Sequence, residues 1–415
     1  MKKFLSALVL TAAASAAQAY PAWQADVYYT AGTIVSYNGA DYMALVNQTD
    51  YTGTGWTPLL ASLWQPIGNT TPPPSNPNPP TNPNPPTTPN PPANPPTNPN
   101  PPTNPTPPPS GFLFSPYKDI TISMNWNTNV ISSAVTGTLQ PVLTVMPTNL
   151  QALTWGFATG ECGTENWAGL PGPAVAAANV QNFVSMGKYY IVSTGGAAGS
   201  FTCATDAGFD TFIKRYYSSN LLGVDFDIEA GQSQAQIASL LQRVINAQRN
   251  YPKLRFSFTI ATLGGNSPQS LGPTGITVMN AIKSSGLQGY VINLMTMDYG
   301  STTPTNCVVV NGKCDMAKSA IAAAENLHSF YGVPYEQIEV TPMIGGNDTI
   351  DETFTLDNIP VLTAYVAQKK LAGLHFWSFD RDTDCAPGYA SPICNSYGVA
   401  GRLGFTTRFL SNLGR

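Results

Sequence analysis

From Gly111 onward the chain alternates short apolar runs with helical patterns, and this alternation limits the possible folds more than any other feature of the sequence. Runs with strand character lie at residues 118–124, 152–157, 189–193, 223–227, 256–261, 290–295, 338–343 and 373–378. Helical periodicity fills most of the gaps, at 174–186, 206–217, 232–250, 275–285, 317–331 and 361–370. The interval between the first two runs is the least helix-like. Eight strands with intervening helices in about 300 residues predict an α/β chain folded as one parallel (β/α)8 TIM barrel over 111–415. In that fold the working residues stand at the carboxyl ends of the strands.

The fourth run ends in Leu222-Gly223-Val224-Asp225-Phe226-Asp227-Ile228-Glu229. Side chains alternate along a strand, so Asp225, Asp227 and Glu229 share one face and Val224, Phe226 and Ile228 the other. Three carboxyls in a row repel one another, which favours retention of a proton at neutral pH and suits a general acid. An acidic solvent-facing edge strand and a divalent-cation site are the competing explanations. Edge strands mix charge signs, however, and no Lys or Arg falls between Lys214-Arg215 and Arg243.

Other strand ends carry chemistry too. The third run finishes in Ser193-Thr194-Gly195-Gly196, where glycines permit a close approach of backbone or ligand, or simply a tight turn. The sixth continues as Met295-Thr296-Met297-Asp298-Tyr299, with Met295, Met297 and Tyr299 on one face if the alternation persists. Trp377 on the eighth is a candidate ligand platform, and His375 reads as a core residue.

The rest of the chain supplies context. Residues 1–19 read as a secretory signal peptide: Lys2-Lys3, an apolar run, then Ala17-Gln18-Ala19 as a cleavage site. Export is therefore expected, and no membrane span. Six cysteines follow the cut, an even number suited to an oxidising compartment. Cys307 with Cys314 and Cys385 with Cys394 are close enough to staple single loops, which leaves Cys162 for Cys203. Formally, six cysteines allow fifteen pairings. None has a zinc-ligand spacing, so no metal and no cofactor are expected. A net charge of −4 gives no sign of a nucleic-acid partner, and a monomer is expected.

Residues 20–68 form a small aromatic unit whose Asn38-Gly39 predicts a hairpin. Some of its aromatics must be core, because a unit this small buries little. Residues 69–110 hold 21 of the chain's 38 prolines in imperfect Pro-Pro-Thr-Asn-Pro-Asn repeats. Such a segment cannot build a core; it is expected to act as a semi-rigid spacer reaching at most about 120 Å, at roughly 3.1 Å per residue.

Together, Gly223-x-Asp225-x-Asp227-x-Glu229, Ser193-Thr194-Gly195-Gly196, Met295-Thr296-Met297-Asp298-Tyr299 and Trp377 resemble glycoside hydrolase family 18 from Gly111 to about Ser411. That resemblance implies hydrolysis of a β-1,4-linked N-acetylglucosamine polymer, chitin above all, by substrate-assisted retaining chemistry. Glu229 would protonate the glycosidic oxygen while the substrate's own acetamido oxygen attacks the anomeric carbon. Asp227 would orient the acetamido group, with Asp225 behind it sharing a proton. Trp377 would floor the reacting sugar, Tyr299 would donate its hydroxyl to the acetamido oxygen, and Asp298 would be a second contact. The chain departs from the family in having Leu222 where another Asp is common, and Met297 where a Tyr is common.

Trp23, Gly32, Val35, Tyr37, Gly39, Tyr42, Ala44 and Trp64-Gln65-Pro66-Ile67-Gly68 are similar to the carbohydrate-binding modules of families 5 and 12. Those modules carry a Trp pair where this chain has Leu45-Val46-Asn47, so Trp23 would need Tyr51 or Trp56 to complete a sugar platform. The sequence thus points to a secreted chitinase with an appended chitin-binding module. An endo-β-N-acetylglucosaminidase acting on glycoprotein glycans uses the same chemistry. A non-catalytic lectin or adhesin for chitin or mucin is the alternative outside enzymes.

Overall fold

Pro116 has no N–H to give to a sheet ladder, and the first barrel strand breaks there into Leu113–Phe114 and Tyr117–Asp119. The break lets one segment serve two neighbours. Leu113–Phe114 pairs in parallel with Gly373–Leu374, the last strand, and Tyr117–Asp119 pairs with the second strand, Ala152–Ala158. Between these lie Tyr189–Gly195, Leu221–Asp227, Arg255–Ala261, Tyr290–Met295 and Ile338–Thr341, each parallel to the next. The expected eight-stranded barrel is therefore closed.

The computed structural model describes residues 20–25, 27–30, 32–44, 48–49, 57–58, 63–67, 111–229 and 231–415. The expected signal peptide at 1–19, the spacer at 69–110, the Leu45-Val46-Asn47 departure, Tyr51 and Trp56 all fall outside the described residues. The chain divides into two compact units, Met1–Asn100 and Pro101–Arg415.

Six helices follow the strands as the periodicity requires: Gly172–Ser185, Asp206–Tyr216, Gln234–Asn250, Pro273–Ser285, Met316–Tyr331 and Asn358–Lys369. Local chemistry sets their ends. Ser233 and Gln236 form a reciprocal capping box, which starts the fourth-strand helix two residues later than its apolar pattern does. Gly286 and Gly332 close two helices in the left-handed conformation. Only a single turn, Val142–Val145, lies between the first two strands. A further helix, Gly404–Asn412, has no side-chain cap of its own at Leu403; the Asp382 carboxylate accepts from the N–H groups of Phe405 and Thr406 at 2.9 and 2.7 Å instead. That cap reaches across 22 residues of sequence.

All three disulfides form as the loop-staple pairing has them, Cys162–Cys203, Cys307–Cys314 and Cys385–Cys394. Outward-facing Val224, Phe226 and Ile228 are buried beneath the helices, with Phe226 packed on Phe258 at 5.2 Å between ring centroids. No helix among the described residues is long and apolar enough to cross a membrane.

In the N-terminal unit, Ile34–Tyr37, Ala40–Ala44 and Trp64–Ile67 make a three-stranded antiparallel sheet. Asn38 and Gly39, at φ 50° and 80°, form the expected two-residue turn. Tyr29, Val35, Ala44 and Trp64 are its core; half-buried Trp23 packs edge-on against Tyr37, and Tyr28 is 62% exposed.

Of the two expectations for Gly195, close backbone approach is what the barrel uses. Gly195 has φ +88°, and a Cβ added there would collide with the Asp227 carbonyl oxygen. Gly195→Ala is expected to cost at least about 2 kcal/mol, combining left-handed strain with overpacking, measured by chemical denaturation. Activity should fall with it, since the displaced residue is Asp227.

Candidate active site

Strand register builds the site. On the fourth strand, Asp225 lies opposite Ser193 on one side and Ser257 on the other, and Asp227 opposite Gly195 and Thr259. All of these point into the barrel, so Asp225 meets hydroxyls from three other strands. Tyr117 and Ser193 donate to its Oδ2 at 2.9 and 2.6 Å, and Ser257 and Thr259 to its Oδ1 at 2.7 and 2.8 Å. Asn293 donates in turn to the Tyr117 and Thr259 oxygens, both at 2.9 Å, and Thr341 donates to Asn293 Oδ1 at 2.8 Å. Asp225 is 1% exposed, which removes the edge-strand explanation.

Asp227 sits two residues further out and 5% exposed, and its Oδ1 has no partner among the described residues. Burial first, then the charges of Glu229 and Asp225, push its carboxyl well above the ordinary range. Asp225 accepts from four hydroxyls, and its charge is one of those that raise Asp227. Glu229 stands just past the strand end, half-buried. Burial and the neighbouring Asp298 charge raise it to about 7.

A cavity of about 350 Å³ opens at this end of the barrel, with Asp227, Glu229, Met295, Met297, Asp298 and Trp377 in its wall. Trp377 stacks on Phe157 at 5.7 Å and forms an apolar side of the cavity. Asp298 is raised to about 6 by burial and by Asp348, opposed by backbone N–H groups of Asp348 and Thr349 and by Arg381.

Tyr299 departs from expectation. It is 2% exposed, belongs to the apolar core and does not line the cavity. The sixth strand ends at Met295 and Asp298 turns into the left-handed region at φ 49°, so the two-residue alternation that would have aimed Tyr299 inward has already been lost. His375 is a core residue as expected, hydrogen-bonded to the Ser115 carbonyl oxygen and close to Glu339. Sequence reasoning missed Tyr117, Phe157, Thr259 and Asp348, all of which line the cavity. Inward parity was the available signal for Tyr117 and Thr259; Asp348 sits on a loop, which carries none.

The third-, fourth-, sixth- and eighth-strand motifs thus gather at one mouth of a closed barrel, and solved structures share the fold. The catalytic domain of a hyperthermophilic chitinase from Pyrococcus furiosus superposes with a TM-score of 0.57 at 26% identity, covering 74% of this chain and 96% of that one. The barrel thus shares its fold with a chitinase catalytic domain. Residues 22–66 match carbohydrate-binding module family 5/12. Among curated proteins, a probable bifunctional chitinase/lysozyme of Escherichia coli (strain K12) is 27% identical over 303 residues, covering 65% of this chain and 31% of the relative. Endochitinase 11 of Metarhizium anisopliae is 29% identical over 217 residues, covering 47% of this chain and 40% of the relative. The chain therefore spans well under half the length of these two relatives.

Two measurements probe the site as a folded object. Tyr117→Phe withdraws one of the four donors on buried Asp225 and should cost roughly 1.5–3 kcal/mol in chemical denaturation. Glu229 and Glu352 at about 7, and Asp298 and Asp382 at about 6, all hold protons in the fold that the unfolded chain gives up near pH 4. The folded state then binds more protons than the unfolded one, so stability should fall as pH rises from about 4 to 7. Thermal unfolding at a series of pH values would read this as a Tm that declines over that interval.

Proposed function

We propose that this protein is an exported chitinase that hydrolyses β-1,4-N-acetylglucosamine linkages by substrate-assisted retaining catalysis, with Glu229 as the general acid. One observation carries the reading: a glutamic acid raised to about 7 stands over a buried aspartic acid whose Oδ1 is unpartnered, both facing a cavity with an indole in its wall. A general acid works best when its pKa lies near the operating pH, and burial beside like charges brings Glu229 there. The similarity to the Pyrococcus furiosus chitinase domain and to endochitinase 11 supports the substrate class.

In this reading Glu229 gives its proton to the glycosidic oxygen as the bond to the leaving sugar breaks. The acetamido oxygen of the sugar on the other side attacks the anomeric carbon from the opposite face, closing an oxazolinium ring. Water then opens that ring, with Glu229 recovering the proton. Asp227 is placed to take the acetamido N–H on its open Oδ1 and to offset the positive charge that develops there. Asp225, fixed by its four hydroxyls, holds its carboxyl in place beneath Asp227. Trp377 offers its face to the apolar side of the sugar ring. The family 5/12 module and the Pro-rich spacer suit an insoluble polymer held at one end of the chain and cut at the other. Export through the signal peptide and action as a monomer complete the proposal.

Glu229→Gln keeps the shape of the acid and loses its proton. Release of soluble oligomers from colloidal chitin by the full chain should fall about 10²–10⁴-fold in that variant. For the parent, turnover should decline as pH rises through about 7, where Glu229 ionises. An inactive parent would sink the proposal; efficient cutting of N-glycoprotein glycans with chitin untouched would assign the same chemistry to the other substrate.

A further inference from the structure

The turn after the sixth strand is gripped by the loop after the seventh, and the grip is reciprocal. Asp298 holds a left-handed conformation that costs a non-glycine residue energy, so something must fix it. Its N–H donates to Asn347 Oδ1 at 3.3 Å, and the next N–H, of Tyr299, donates to Glu352 Oε2 at 2.9 Å. In the other direction, the N–H groups of Asp348 and Thr349 donate to Asp298 Oδ1 at 2.7 and 3.4 Å. The gripping loop is itself closed: Asn347 N–H donates to the Glu352 carbonyl oxygen at 3.0 Å, and the Asn347 amide donates to the carbonyl oxygens of Met343 and Gly345, each at 3.1 Å.

Asn347 and Glu352 are both fully buried, and neither lines the cavity. Glu352 forms no ion pair among the described residues. A buried carboxyl without a cation is costly to keep, and here it takes the N–H groups of Tyr299 and Gly300, just past Asp298, with the Cys314 sulfur beside it.

We propose that Asn347 and Glu352 are positioning residues, which pin the 298–299 turn and thereby fix the Asp298 carboxyl beside Glu229 in the geometry that catalysis requires. This rests on the reading of Glu229 as the acid. Asp227 and Asp298 face Glu229, and Asp225 lies below Asp227; Asp348, Glu352 and Arg381 surround Asp298, and the Tyr299 ring and the Cys314 sulfur adjoin Glu352. Arg381 is the one cation of the set. Loosening the turn removes a negative neighbour from Glu229, which then ionises at lower pH.

The test uses the full chain carrying Glu352→Gln, and Asn347→Ser as a milder variant should the first not fold. Glu229 is titrated by carboxyl-carbon NMR, and kcat and KM are measured on a soluble chito-oligosaccharide. Each variant should lower the Glu229 midpoint by roughly one pH unit, as Asp298→Asn itself should, and reduce kcat about tenfold with little change in KM. Added to Asp298→Asn, neither should shift the midpoint further, because both act through Asp298. An unmoved midpoint with only a lowered Tm, or a full shift persisting in the Asp298→Asn background, would overturn the proposal. The NMR titration needs no turnover, so a protein inactive on chitin would count against the proposed function while leaving this inference separately tested.

Discussion

Burying a carboxylate away from water is among the costliest acts a fold can perform, and this barrel does it at the base of its candidate site. Asp225 is tolerated because four hydroxyls, from three other strands, converge on its two oxygens. The convergence requires the barrel to be closed, since Tyr117 comes from the split first strand and the serines and threonine from the strands on either side of the fourth. It also requires Gly195, whose missing side chain leaves room for the Asp227 carbonyl oxygen. Once Asp225 is fixed, its charge and the surrounding low dielectric act on Asp227, and Asp227 lies next to Glu229 on the same face. The reactive end of the ladder thus depends on its inert end.

Deeper in the barrel the same residue type is shifted the other way. Glu339 is fully buried, yet Arg255 at 2.6 Å and His375 at 3.1 Å lower its carboxyl to about 2 despite the opposing effect of burial. Glu229 has only carboxyls for charged neighbours and rises to about 7. Two glutamates in one barrel are thus shifted in opposite directions by their surroundings. The contrast fits the usual division of labour in this architecture, in which one end of the strands stabilises and the other reacts.

Elements made of local pattern were legible in the sequence. Seven of the eight strand runs and the six helices emerged where periodicity placed them, because a half-buried helix and a barrel strand each leave a repeating apolar signature. Disagreements arose at ends and turns. Ser233 trims a helix that its apolar residues would have extended, and the first barrel strand, broken at Pro116, lies at Leu113–Phe114 and Tyr117–Asp119, ahead of most of the run read at 118–124. The helix Gly404–Asn412 went unread because its capping carboxylate belongs to Asp382, on a distant loop.

The candidate site divides along the same line. The sequence by itself determined that Asp225, Asp227 and Glu229 share a face, since alternation along a strand is a property of the backbone alone. It likewise placed Met297, Asp298 and Trp377 near strand ends that a barrel would bring together. Only the tertiary structure decided which carboxyl is caged, which oxygen is left open and which proton is held, because those depend on side chains arriving from other strands. It also withdrew Tyr299 into the core, for a left-handed residue at Asp298 ends the alternation on which its inward direction rested. Periodicity is local and can be read along the chain; solvation and charge are set by neighbours distant in sequence, and only the closed barrel assembles them.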